Sequence, residues 1–142
     1  MEFETKVQFL TQTEHNRRTI VISDIHGHRA WLEKLLKKVD FSEKDILIIV
    51  GDMIEKGPES LNTIRYIMEL CEKYTVYPMM GNVDLWRIQM LLTEDGSLDQ
   101  ELYETNERMR QYWKATFFQD LCREAGVSVK TLEEIPAARE AV

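Results

Sequence analysis

Three short strand-like segments, each ending abruptly in a polar loop that contains glycine, constrain this chain more than any other feature. They are residues 19–23, 46–50 and 75–79. The first two are rich in isoleucine and valine, which favour strands, whereas Pro78 interrupts the third. Two stretches with apolar residues at helical spacing lie between them. The pattern predicts the order strand–helix–strand–helix–strand, which is typical of a parallel sheet in an α/β fold.

The same spacing predicts which residues are buried. The first strand, residues 19–23, is expected to be a buried one. The apolar side of the first helix consists of Leu32, Leu35, Leu36 and Val39. The apolar side of the second consists of Leu61, Ile64, Met68 and Cys71. Residues 85–126 are predicted to be helical with a break near 95–97, and the buried stripe of the later helix consists of Met109, Tyr112, Trp113, Phe117 and Leu121.

Composition excludes several classes of protein. The chain has 142 residues, 44% apolar and 30% charged, which is the balance of a soluble globular domain. The net charge of −7 without a basic block argues against nucleic-acid and anionic-membrane partners. No apolar run approaches the roughly 20 residues that span a bilayer. Two cysteines without C-x-x-C spacing suit a reducing compartment, and residues 1–10 do not resemble a signal peptide, so we expect a cytoplasmic protein.

Polar side chains follow each predicted strand at the point where it ends. Asp24 and His26 follow the first strand, Asp52 the second and Asn82 the third. Because the carboxyl ends of parallel strands meet at one edge of a sheet, we expect these side chains to converge. One imidazole, two carboxylates and one amide oxygen suit divalent ions such as Mn, Fe, Zn or Co. The sequence therefore predicts a metal site at this edge.

The three loops resemble the opening motifs of the calcineurin-like metallophosphoesterases. Residues 24–27 (D-I-H-G) are similar to that family's D-x-H-G, residues 51–57 to its G-D-x-x-x-x-G, and residues 81–84 (G-N-V-D) to its G-N-H-D/E. Residues 58–60 continue the second motif as in the serine/threonine phosphoprotein phosphatase branch, and bacterial members of that branch are the nearest in pattern. The resemblance covers residues 19–84.

This resemblance implies a metallophosphoesterase-type α/β sandwich, of which the chain holds only a part. Residues 1–84 correspond to the first βαβαβ half with the metal site, and residues 85–142 to a mostly helical insert. The family takes further histidine ligands from later strands, whereas no histidine follows His28. We therefore expect either a truncated domain without its C-terminal half, which we favour, or a partner chain that completes the site. The incomplete sheet is expected to cause self-association.

Carried over by position, the resemblance implies two divalent metal ions, with Mn preferred. Asp24 and His26 would hold the first ion, Asp52 would bridge both, and Asn82 would ligate the second. Such a pair binds a phosphate and activates a water that attacks phosphorus in line. Asp52 and Asn82 would thus be catalytic as well as metal-binding.

Three further positions bear on catalysis in this resemblance. Lys56 stands where the phosphatase branch has a phosphate-binding arginine, so Lys56 and Asn82 would contact the substrate. Glu55 stands where a carboxylate pairs with the family's catalytic histidine. Val83 replaces that histidine and cannot transfer a proton, a form of assistance worth roughly 10²–10⁴-fold. The replacement shifts the expected substrates toward esters with good leaving groups.

The substrate stays open at this point. The main interpretation is a phosphatase acting on a phosphoserine or phosphothreonine protein. The alternatives are a nucleotide-like substrate, as in a dinucleoside polyphosphate hydrolase, or a small phosphodiester. An alternative of another class is a non-catalytic phosphate-binding or interaction module. No nucleotide-binding G-x-x-x-x-G-K-S/T or G-x-G-x-x-G motif is present.

Overall fold

The predicted alternation of strands and helices is present in the computed structural model, which describes residues 16–85 and 117–126. The elements are β1 (Thr19–Ile22), α1 (Arg29–Lys38), β2 (Ile46–Val50), α2 (Ser60–Lys73), β3 (Thr75–Met79) and α3 (Phe117–Glu124). Residues 82–85 are also helical. No helix within the described ranges is long and apolar enough to cross a membrane. The α/β class predicted from the sequence is confirmed.

The three strands form one parallel sheet in the order β1-β2-β3. The central strand β2 pairs on both sides, and its residues Ile46, Leu47 and Ile49 are completely buried. Burial of both Ile46 and Leu47, which point to opposite faces of the sheet, accounts for the continuous apolar run of residues 46–50. Pro78 lies opposite Ile49 on β3, which is an edge strand of the described sheet and so tolerates a residue without a backbone N–H.

The core lies between one face of the sheet and the two crossover helices. Leu47 and Ile49, two residues apart on β2, contribute the sheet side of this core. The helix side consists of Leu32 and Leu36 of α1 together with Ile67 and Leu70 of α2. The helix α3 packs on α2, where the backbone N–H of Asn62 donates to Glu124 Oε2 at 2.9 Å.

The predicted buried side of α2 was partly wrong. The structure buries Leu61 as predicted, but Met68 and Cys71 are exposed, and the buried stripe is Ser60, Thr63, Ile67 and Leu70. The cause lies at the start of the helix, where the hydroxyl of Ser60 accepts from the backbone N–H of Glu55 at 3.0 Å. This anchor rotates α2 so that positions three, seven and ten residues after Ser60 face inward.

Two further burial predictions were wrong near β1. Leu32 and Leu36 of α1 are buried as predicted, but Leu35 is 40% exposed. The strand β1 was expected to be buried, yet Val21 is 61% exposed. Val21 points to the face of β1 opposite to Ile20 and Ile22, which pack against the core, and Leu35 lines an open groove between α1 and the end of β1. Three residues of the predicted later helical stripe, Met109, Tyr112 and Trp113, lie outside the described residues. The predicted boundary at residue 84 between the metal-site part and the helical insert therefore stays a prediction.

Two arginines tie the beginnings of the strands together at the opposite edge from the loops. Arg18 forms a forked pair with Asp45, Nε to Oδ1 at 2.9 Å and Nη2 to Oδ2 at 2.8 Å. Arg17 donates to the carbonyl of Glu43 and to Thr75 Oγ1, at 2.8 and 2.9 Å. The hydrogen bond from Arg18 lowers the pKa of the Asp45 carboxyl from 3.8 to about 2.

Substituting Arg18 tests this pair through the pH dependence of stability. Because the pKa of Asp45 is lowered in the folded chain, its contribution is present above about pH 4 and is lost as the pH falls toward 2. We expect Arg18→Gln to lower the free energy of unfolding more at about pH 6 than at about pH 2.5. Urea denaturation followed by circular dichroism measures this difference.

Arg17→Gln is the matched control. Its hydrogen bonds go to backbone carbonyls and a hydroxyl, which do not titrate in this range. It should lower stability by a similar amount at both pH values. An equal loss at both pH values for Arg18→Gln would contradict the assigned role of Asp45.

Exposed apolar side chains beside β1 predict self-association of the chain. Trp31 is 74% exposed, and together with Leu35 it lines an open groove of about 320 Å³ between α1 and the end of β1. Burying such surface between two copies is favourable. We expect Trp31→Lys to shift the chain toward monomer in sedimentation velocity. Met68→Lys, at an exposed position on α2, is the control and should have no such effect. A wild-type chain that stays monomeric over a broad concentration range would contradict the prediction.

Candidate metal centre

The loops after β1 and β2 are joined by a ladder of backbone hydrogen bonds. The N–H groups of Asp24, His26 and Gly27 donate to the carbonyls of Gly51, Asp52 and Met53, at 3.3, 2.9 and 2.8 Å. The ladder continues the pairing of the two parallel strands beyond the sheet. It holds the two polar motifs side by side through backbone hydrogen bonds alone.

The third loop reaches the other two through a glycine contact. A Cβ on Gly51 would lie 2.4 Å from the Cα of Gly81, and a Cβ on Gly81 would lie 2.2 Å from Asp52 Oδ1. Neither position has room for a side chain. The close approach of these two backbones requires glycine at both positions. The predicted convergence of all three loops is therefore present in the structure.

Asp24, His26 and Asp52 form a cluster that could hold a metal ion. Each offers a ligand atom, and these atoms all lie within 4.8 Å of one another. His26 Nε2 lies 3.5 Å from Asp24 Oδ1 and 3.9 Å from Asp52 Oδ2. All three residues have positive φ angles, 54°, 47° and 52°. Such backbone is uncommon outside glycine and concentrates at functional sites, where it directs side chains to one point.

The backbone sets the tautomer of His26. Its Nδ1 lies 3.2 Å from the carbonyl oxygen of Ile54. A carbonyl can only accept, so Nδ1 carries the proton and Nε2 presents its lone pair on the side of the two carboxylates. A second hydrogen bond of this kind is the usual way in which a metal-binding histidine is oriented.

Asn82 lies at the same edge, at the start of the helical residues 82–85, and is exposed. Its neighbour Val83 donates its backbone N–H to Asp52 Oδ1 at 3.2 Å. This bond holds Asp52 against the third loop. Asn82 and Asp52, which the sequence predicts to share a metal ion, thus come from adjoining loops.

Glu55 and Lys56 lie on the second loop, both with positive φ angles, 70° and 67°. The Lys56 side chain is exposed and extends to the cluster, with Nζ 3.0 Å from His26 Nε2. Gly57 follows, and a Cβ there would lie 2.2 Å from the carbonyl oxygen of His26. The second loop is thus packed directly on the first one.

Asp84 is a residue to which the sequence reasoning gave no role. Its side chain is buried, with the residue only 4% exposed, and its carboxylate accepts from the backbone N–H groups of Met53, Ile54 and Gly81 at 3.0, 3.3 and 2.8 Å. It therefore connects the second and third loops. An acid three residues after the cap of a helix, reaching back to the cap N–H, is a known capping pattern, and G-N-V-D contains it. That pattern is the signal that could have revealed Asp84.

The family described as calcineurin-like phosphoesterase matches residues 17–134, most of this chain. The chain belongs to this family. The resemblance inferred from the three loop motifs is confirmed, and so is the implied N-terminal part of its fold. A calcineurin-like phosphoesterase domain implies divalent metal ions, and the cluster of Asp24, His26 and Asp52 is the candidate for holding one.

Several relatives are named symmetrical bis(5'-nucleosyl)-tetraphosphatase. Those of Shewanella loihica and Buchnera aphidicola subsp. Schizaphis graminum are 46% and 45% identical over 68 and 65 residues, which is 47% and 45% of this chain and 24% and 23% of the relatives. That of Coxiella burnetii (strain Dugway) is 34% identical over 92 residues, 64% of this chain and 30% of the relative.

A solved structure, described as that of a candidate diadenosine tetraphosphatase, matches with a TM-score of 0.51 and 32% identity. The match covers 74% of this chain and 44% of that one. The chain thus spans about a quarter to a third of the length of these curated relatives.

Substituting Asp84 tests whether this carboxylate supports the metal centre. Asp84→Ala leaves three part-buried backbone N–H groups without their acceptor, and each fully buried group of this kind costs about 1–3 kcal/mol of stability. We expect a lower free energy of unfolding in urea together with weaker Mn²⁺ binding by calorimetry, because the second and third loops separate. Glu72→Gln, an exposed acid on α2, is the control and should change neither quantity. Unchanged Mn²⁺ affinity in a destabilised Asp84→Ala chain would contradict the supporting role.

Proposed function

We propose that this chain carries the metal site of a hydrolase that cleaves dinucleoside polyphosphates. The observation that carries the proposal is the cluster of Asp24, His26 and Asp52, with ligand atoms within 4.8 Å, at the carboxyl edge of a parallel sheet. Ligands of open α/β sheets bind at that edge. Family membership supports phosphoester chemistry at the same place.

The donor set fits divalent metal ions. His26 presents an unprotonated Nε2, and Asp24 and Asp52 present carboxylates beside it. In this proposal Asp24 and His26 would hold one ion, Asp52 would serve both ions, and Asn82 would serve the second. Oxygen donors outnumber nitrogen in this set, which favours Mn²⁺ among the ions considered. When bound, such ions supply the positive charge that polarises the phosphate and activates water.

The chain's own side chains position the substrate. The Lys56 ammonium, which extends to the cluster, is placed to bind a non-bridging phosphate oxygen as a point charge. Asn82 is exposed beside Asp52 and can donate its amide N–H to the same phosphate. Glu55, on the loop before Lys56, is assigned to orienting the reacting groups.

Val83 bears on the class of substrate. It occupies the position where a proton donor would stand, and its backbone N–H is used to hold Asp52. A serine or threonine alkoxide is a poor leaving group and depends on such a donor, worth roughly 10²–10⁴-fold. A nucleotide leaving from a phosphate anhydride is already a stable anion. The chemistry therefore favours an anhydride over a phosphoprotein.

The names of the relatives support the same choice. The symmetrical bis(5'-nucleosyl)-tetraphosphatases and the candidate diadenosine tetraphosphatase match the dinucleoside polyphosphate alternative better than the phosphoprotein phosphatase interpretation. We therefore prefer that alternative. The identity of the metals and the cytoplasmic location stay predictions.

Competing substrates test the proposal. With Mn²⁺ present, we expect the protein to hydrolyse diadenosine tetraphosphate faster than a phosphoserine peptide, as followed by chromatography of the products. Asp52→Asn should lower this rate about 10²–10³-fold, because the carboxylate at the centre of the three loops loses its charge. Glu72→Gln is the control with unchanged rate. Faster hydrolysis of the phosphopeptide, or turnover that persists in a chelator, would contradict the proposal.

A further inference from the structure

The Lys56 ammonium occupies the one lone pair through which His26 could bind a metal. Since Nδ1 of His26 carries its proton toward the carbonyl of Ile54, Nε2 is the acceptor. Lys56 Nζ lies 3.0 Å from this Nε2 and donates to it. A metal ion and the ammonium cannot both use that lone pair.

The charges around the nitrogen favour a cation there. Asp24 Oδ1 and Asp52 Oδ2 lie 3.5 and 3.9 Å from the same Nε2. Two carboxylates held this close repel each other unless positive charge is nearby. The ammonium of Lys56 supplies that charge from within the chain.

The backbone of the second loop holds the start of the Lys56 side chain in place. Lys56 has a φ of 67°, and the next residue, Gly57, fits only because it has no Cβ that would meet the carbonyls of His26 and Gly27. The side chain itself is exposed and has a flexible four-carbon stem. The loop thus fixes where the ammonium is anchored, while the stem allows it to leave the cluster.

We propose that Lys56 is a built-in competitor of the metal and sets the affinity of this site. In the metal-free protein its ammonium binds the His26 lone pair and balances the two carboxylates, and a metal ion binds by displacing it. Resting on the proposed function, the displaced ammonium remains tethered at the rim of the site, where it can take a phosphate oxygen of the substrate. Binding of the metal then releases the Lys56 ammonium for phosphate binding in the same step.

Calorimetric titration of the full chain with Mn²⁺ alone tests the competition. Lys56→Met removes the charge but keeps an unbranched apolar stem, and we expect it to tighten Mn²⁺ binding within the roughly 5–150-fold range of coupled sites. Lys56→Arg keeps the charge and should bind Mn²⁺ more nearly as the wild type does. Lys73→Met, at the end of α2, is the control for general loss of charge and should bind as the wild type.

Two readouts without metal separate competition from a change in net charge. Lys56→Met should lower the Tm of the chelator-treated protein, because the carboxylates lose their balancing cation, whereas Lys73→Met should not. The ¹⁵N resonance of His26 Nε2 should also move in Lys56→Met, because its hydrogen bond is lost. Unchanged or weaker Mn²⁺ binding by Lys56→Met, or no Mn²⁺ binding by any of these proteins, would overturn the competition.

These readouts do not depend on the substrate. Tighter Mn²⁺ binding by Lys56→Met, without hydrolysis of diadenosine tetraphosphate by any variant, would support the competition while the proposed function fails. Metal-dependent hydrolysis with equal Mn²⁺ affinity in Lys56→Met and wild type would overturn the competition while the proposed function stands.

Discussion

The backbone ladder between the loops after β1 and β2 is the interaction on which the rest of the site depends. Three N–H groups of the first loop donate to three carbonyls of the second, so the pairing of the strands continues past the sheet. Hydrogen bonds between backbones depend little on the side chains present. The site is therefore built on a continuation of the sheet rather than on flexible loops, which favours fixed positions for Asp24, His26 and Asp52.

This arrangement brings two carboxylates that repel each other close together and places three residues in strained backbone conformations. Asp24, His26 and Asp52 all adopt positive φ angles, and two carboxylates flank one imidazole. Conformations of this kind persist only where the surroundings hold them. Here Asp84 supplies part of the restraint through three backbone hydrogen bonds, and Lys56 supplies the opposing charge. Backbone strain of this kind is typical of sites that serve binding rather than stability.

The predicted strands, their parallel order and the convergence of Asp24, His26 and Asp52 followed directly from the sequence. Residues 46–50 and 75–79 match β2 and β3, because a buried strand and a proline-bearing edge strand have clear patterns. The sequence did not predict which side of α2 is buried. The apolar residues of α2 cover a wide arc of the helix, and the hydrogen bond of Ser60 at its start decides which of them face inward. The sequence did not predict the exposure of Val21 and Leu35 either, because exposure depends on which faces of the sheet and of α1 other elements cover.

The sequence by itself determined the family, the order of the elements and the kinds of donor atoms at the strand ends, because these depend on residue types and spacings along the chain. Only the tertiary structure decided how those donors meet. The proton on His26 Nδ1 depends on a carbonyl 28 residues away, and the link made by Asp84 joins loops about 30 residues apart. The contact of Lys56 with His26 likewise needs both loops in place. Such contacts depend on distance in space, which spacing in a sequence does not contain.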